Sequence, residues 1–91
     1  MNITINNKNI ELKYSIRALM MYENLKEETF SPSNITNIVT FMYCIVVSSA
    51  KDYSITLDEV LDAIDENTGL LKEFTEWLAK TTENQNKLKK D

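Results

Sequence analysis

The sequence predicts one α+β domain, mostly α, with an N-terminal β-hairpin packed on a bundle of four short helices, in the order ββαααα. Three observations predict it. Apolar and polar residues alternate over the first fourteen positions, and apolar residues recur at three- and four-residue spacing thereafter. Helix start signals stand at Ser15, Ser31-Pro32 and Thr56. Finally, 91 residues, 43% of them hydrophobic, supply a single core, because a chain of this size buries only about two-thirds of its surface.

In the hairpin, Ile3 and Ile5 share one face of a strand near residues 2–6, and Ile10 and Leu12 share one face of a second near 9–13. Asn6-Asn7-Lys8-Asn9 lies between them, rich in the residue that tolerates the left-handed conformation of tight turns. Two strands alone are marginal in water, so the Ile/Leu face needs the helices as cover. Ser15 caps a first helix running to about Lys26. Its expected inward face is Ile16, Leu19, Met20, Tyr22 and Leu25, with Arg17, Met21 and Asn24 pointing away. Glu23 is the misfit, since it falls between Ile16 and Leu19. It is either a rim carboxylate reaching solvent or a structural one held by hydrogen bonds, because an unpaired buried charge costs too much.

Serine at the cap and proline at the first helical position mark Ser31-Pro32 as the start of a second helix, ending near Ser49. Ile35, Ile38, Val39, Met42, Ile45 and Val46 form one stripe, and Phe41, Tyr43 and Val47 widen it on both flanks. So apolar a helix belongs at the centre of the domain. Cys44, almost opposite the stripe, reads as a small filler beneath a neighbouring element, with no cation nearby in sequence to activate it. After the loop Lys51–Ser54, Thr56-Leu57-Asp58-Glu59 fits the capping box. The third helix then carries Leu57, Val60, Leu61 and Ile64 inward. Asp65–Gly69 breaks it, Asn67 is a candidate cap for the fourth, and Leu70, Leu71, Phe74, Trp77 and Leu78 complete the core. The domain is expected to span residues 1–80, with 81–91 a polar tail that is frayed or disordered.

Composition excludes several classes of function. With no histidine, imidazole bases, serine triads and His-ligated metals are out of reach. One cysteine forms no internal disulfide or Cys-rich zinc site, and one glycine forms no phosphate loop. Asp65, Asn67 and Glu76 sit at ligand positions of a calcium-loop frame, but that frame puts Gly69 where an oxygen ligand belongs and Leu70 where the turn needs glycine. Asp58 and Asp62 could do acid–base chemistry only in a desolvated cleft, and nothing in the sequence suggests one. A net charge of −4 argues against nucleic acid as a partner. The N-terminus lacks a signal-peptide pattern, and the longest apolar run, Phe41–Val47, is too short to span a membrane. No enzyme, cofactor, metal or membrane is expected, and the location expected is the cytoplasm.

What remains is protein binding. Residues 57–76 carry seven acids and only Lys72, a net −6, while residues 1–56 balance. Asp58, Asp62 and Asp65 share one face of the third helix, either as a solvated surface or as a footprint for a basic partner segment. The apolar flanks Phe41, Tyr43 and Val47 exceed what a small core can cover, and a leftover apolar patch marks a contact surface. Trp77 either anchors the fourth helix at the core's edge or serves as a contact hot spot. The candidate partner-binding residues are therefore Phe41, Tyr43, Val47, Asp58, Asp62 and Trp77.

Residues 3–80 together resemble the small tail assembly chaperones of long-tailed bacteriophages. The likeness is carried by Ile3-Thr4-Ile5-Asn6-Asn7-Lys8 with Ile10-Glu11-Leu12-Lys13-Tyr14, by Ser15-Ile16-Arg17-Ala18-Leu19 with Tyr22-Glu23, by Phe41-Met42-Tyr43-Cys44, and by Tyr53-Ser54-Ile55-Thr56-Leu57-Asp58-Glu59-Val60. Asn24-Leu25-Lys26 departs from it, where such proteins often carry a threonine–glycine turn. The resemblance implies a non-structural assembly factor that binds the tape measure protein and helps tail tube protein polymerise around it, in the host cytoplasm and not in the mature virion. In many such proteins a ribosomal frameshift adds a second domain, for which the polar tail would be a linker. The competing expectation is a small acidic regulator, phage-encoded, that masks a basic surface on a single target.

Overall fold

A computed structural model describes residues 1–89, with side chains described through Thr82. Two strands, β1 (Asn2–Ile5) and β2 (Lys8–Glu11), precede four helices, α1 (Ile16–Lys26), α2 (Ile35–Ser49), α3 (Leu57–Glu66) and α4 (Gly69–Lys89). The order is ββαααα and the chain is mostly helical.

The hairpin follows from its turn. Asn6 and Asn7 both take positive φ, 53° and 64°, which suits a two-residue turn matching the right-handed strand twist. The strands are antiparallel with Ile3 opposite Ile10 and Ile5 opposite Lys8. Ile3, Ile5, Ile10 and Leu12 are all buried on one side, where the helices cover them.

α2 is the centre of the bundle, in contact with α1, α3, α4 and β2. Phe41, Met42, Cys44, Ile45 and Val46 have no exposed surface. Its start differs from the Ser31-Pro32 signal. Asn34 is the cap, and its Oδ1 accepts the Asn37 backbone N–H at 2.8 Å. The nearly buried Asn37 side chain explains the shift, because its Nδ2 donates back to Ser31 O (3.1 Å) and Ser33 Oγ (3.3 Å). Ser31 to Ser33 are thereby tied to the first turn of the helix without entering it.

α1 lies against α2 alone among the elements. Ser15 caps it as expected, accepting from the Ala18 N–H at 3.1 Å. The inward face is another matter. Ala18 and Tyr22 are fully buried and Leu19 and Met21 partly so, whereas Ile16, Met20 and Leu25 are 69%, 60% and 57% exposed. The expected face is thus rotated outward. Tyr22 decides the orientation: its ring meets Phe30 and Phe41 edge-on, at 5.1 and 5.9 Å between centroids. Phe41 also stacks on Phe30 at 4.2 Å and meets Tyr14 edge-on at 6.1 Å. Burying four aromatic rings outweighs burying Ile16 and Met20. Glu23, out of place on the expected face, is a solvent-facing carboxylate on the actual one.

α3 opens with the predicted capping box, Thr56 and Glu59 each satisfying a backbone N–H of the other. Of its expected inward residues Val60 is buried and Ile64 partly so, but Leu57 and Leu61 remain 42% and 39% exposed. Asn67 caps the end of α3, its N–H donating to Ala63 O and Ile64 O, and its own carbonyl accepts the Leu70 N–H at 2.9 Å where α4 begins. In α4, Leu70, Phe74 and Leu78 are buried, with Leu71 and Trp77 partly covered. The helix continues past Leu78 to Lys89, through a stretch that contains no glycine or proline to break it. Within the tail expected at 81–91, residues 90 and 91 and the side chains from 83 onward lie outside the described residues.

Candidate protein-binding surface

Of the candidate contact residues on α2, Phe41 is corrected outright. It is the hub of the aromatic cluster and offers a partner nothing. Tyr43 and Val47 are part-buried, packed between the core and the surface. The surplus of α2 is absorbed because that helix has neighbours on every side.

The uncovered apolar surface lies on α1. At about 100° per residue, Ile16, Met20 and Glu23 fall within one narrow sector, opposite Ala18 and Tyr22. Ile16 and Met20 therefore form a two-turn apolar line on the solvent side, with Glu23 beside it. Leu25 at the end of α1 and Ile35 at the start of α2 (68% exposed) flank the connection between the two helices. These four residues were not among the candidates drawn from periodicity. For Ile16 and Met20 the sequence held one signal, the exposed carboxylate of Glu23 in the same sector; Leu25 and Ile35 had none.

A second apolar line runs along α3. Leu57 and Leu61 occupy the flank between the buried Val60 and the exposed acids Asp58, Asp62 and Asp65. Asp58 and Asp62 are exposed, but they border half-exposed Leu57 and Leu61 instead of lying on a face away from them. Trp77 is part-buried and packs on Phe74 at 5.8 Å between ring centroids, at the core's edge. The structure does not gather the six sequence candidates into one place, since Phe41 is interior and the others are distributed over three helices.

No protein-family model matches this chain, and no curated protein or solved structure is significantly similar to it. The site must be judged on its own chemistry.

Burial pushes the Cys44 thiol up to about 11, so it is protonated at neutral pH and sealed from reagents. Burial likewise raises Tyr14 and Tyr22; Glu28 and then Cys44 add to the effect on Tyr22. The Tyr22 hydroxyl is enclosed with no hydrogen-bond partner among the described residues. None of the described helices is long and apolar enough to cross a membrane. What the described surface offers is apolar side chains at helical spacing beside acidic ones.

Proposed function

We propose that this protein is a non-enzymatic tail assembly chaperone that binds the tape measure protein and supports tail tube polymerisation in the host cytoplasm. The observation that carries the reading is the line Ile16–Met20 on the outer face of α1, apolar and more than half exposed. A long amphipathic helix can set its own side chains on either side of such a ridge, the ordinary geometry of helix pairing. While seated it shields apolar surface that would otherwise aggregate. The acids of α3 supply attraction to lysines on such a helix, which acts on encounter rate more than on affinity. The resemblance of residues 3–80 to the tail assembly chaperones is what suggests the partner class, and the exposed apolar line is compatible with it.

Co-expression with a tape measure protein, expected as a long, helix-rich reading frame next to its gene, tests the proposal. The wild-type chain should keep that product soluble and co-purify with it, and the double variant Ile16→Glu/Met20→Glu should lose both effects while staying folded. Equal rescue by the double variant would remove α1 from the site. The exposed Asp58 and Asp62 favour a second reading, an acidic regulator that masks a basic surface. Reversing both charges should abolish binding outright under that reading, and only slow association at low salt under the first.

A further inference from the structure

Among the described residues, one edge of β2 has no partner strand. Leu12 N–H donates to Met1 O at 2.8 Å, and Ile10 and Lys8 follow at two-residue spacing opposite Ile3 and Ile5. Those residues therefore turn their backbone groups toward β1, and Asn9, Glu11 and Lys13 turn theirs away. The Lys13 N–H is taken by Ser49 Oγ at 2.9 Å. The sheet has only two strands, and among the described residues no backbone group outside the hairpin bonds to Asn9 or Glu11. An open edge of this kind is a template for one more strand.

Beside that edge lies an open groove of about 610 Å³, walled on its far side by the end of α2 and the loop Ala50–Tyr53. Its charge is distinctive. Lys13, Arg17 and Lys51 line it against Glu11 and Asp52, and Lys8 stands 4.6 Å over the Tyr53 ring at one end. In a protein of net charge −4, four of the five basic residues in the first 56 positions meet at this one groove. A second copy of the chain would bring a second groove of the same sign.

We propose that this groove binds an extended acidic peptide of a partner protein, which adds to β2 as a third strand. The peptide backbone pairs with Asn9 and Glu11, and its carboxylates meet Lys13, Arg17 and Lys51. Between the Lys8–Tyr53 contact and the Lys13–Ser49 bond there is room for a paired stretch of about four residues at ~3.3 Å each. The main chain supplies affinity and the cations select for acids. This site uses neither Ile16 nor Met20, so it stands apart from the tail-assembly reading.

The test uses the full chain and an end-blocked octapeptide of alternating Asp and Val, with its Lys/Val counterpart and a backbone N-methylated Asp/Val analogue. Titration followed by amide NMR should show the Asp/Val peptide binding, with exchange of the Asn9 and Glu11 amides slowed at least tenfold. Arg17→Glu/Lys51→Glu should weaken binding more than tenfold, and the Lys/Val peptide should not bind. The N-methylated peptide should fail, because it cannot form the ladder, whereas Ile16→Glu/Met20→Glu should bind as the wild type does. Equal binding of the N-methylated peptide, unchanged Asn9 and Glu11 amides, or a dimer by sedimentation with the edge protected in the free protein would each overturn the proposal.

Discussion

α1 and α2 both carry more apolar residues than one helical face can hold, and they dispose of the surplus in opposite ways. α2 touches three helices and a strand, so even its expected outer flank, Phe41, is enclosed. Among the described elements α1 touches only α2, so one of its two apolar faces stays outside. Burial is set by how many neighbours a helix has, and the choice of face by which side chains those neighbours can use. Here an aromatic ring on Tyr22 prevails over two aliphatic chains. On the outer helix Ile16 and Met20 are left in solvent, whereas on the most hydrophobic one only Ile35, at its first turn, is.

The largest expected difference is between the two helices themselves. Phe41→Ala should cost about 3–5 kcal/mol, because it empties the middle of a cluster of four rings. Ile16→Ala should change stability by about 0.5 kcal/mol or less, since that side chain is mostly in solvent. Urea unfolding of both variants checks this, and similar costs would break the contrast.

A middle-sized effect comes from pH. The Cys44 thiol ionises near its ordinary 9.0 in an open chain and at about 11 when folded. Between those values the folded state holds a proton that the unfolded state has released. Stability is therefore complete below pH 9 and declines as pH rises to about 11, by on the order of 2 kcal/mol. Tyr14 and Tyr22, both raised above 10.0, add to the decline from about pH 10 upward. Denaturation midpoints measured from pH 8 to 11 should fall in the wild type, and fall less in Cys44→Ala.

The smallest effect sharpens the boundary of α2. Asn34→Ala should destabilise by about 1 kcal/mol, as loss of a helix cap does, and Ser31→Ala by only a few tenths. Equal costs would restore Ser31-Pro32 as the start.

Much of the fold was legible because some residues act locally. Asn6-Asn7 specifies a turn by tolerating positive φ, and Thr56 with Glu59 closes a cap within one helical turn. Neither needs the rest of the chain. The face of α1 was not legible in this way, since counting apolar residues cannot tell which of two faces meets an aromatic neighbour from α2 or from the preceding loop. Asn34 rather than Ser31 caps α2 for a similar reason: both are good caps, and the Asn37 side chain discriminates between them through bonds that span the loop. Asp58, Asp62 and Trp77 were legible as surface or edge residues, and Phe41 was not, because its cover comes from Tyr14, Tyr22 and Phe30 together. The groove beside β2 depends on where Ala50–Tyr53 comes to rest, which no local pattern encodes.

Cys44 is the chain's one thiol and has no accessible surface. An alkylating reagent can reach it only during the moments when the helices around α2 separate. At saturating reagent the labelling rate therefore becomes a clock that ticks once per opening of the interior, and the protein carries this clock without any engineered probe.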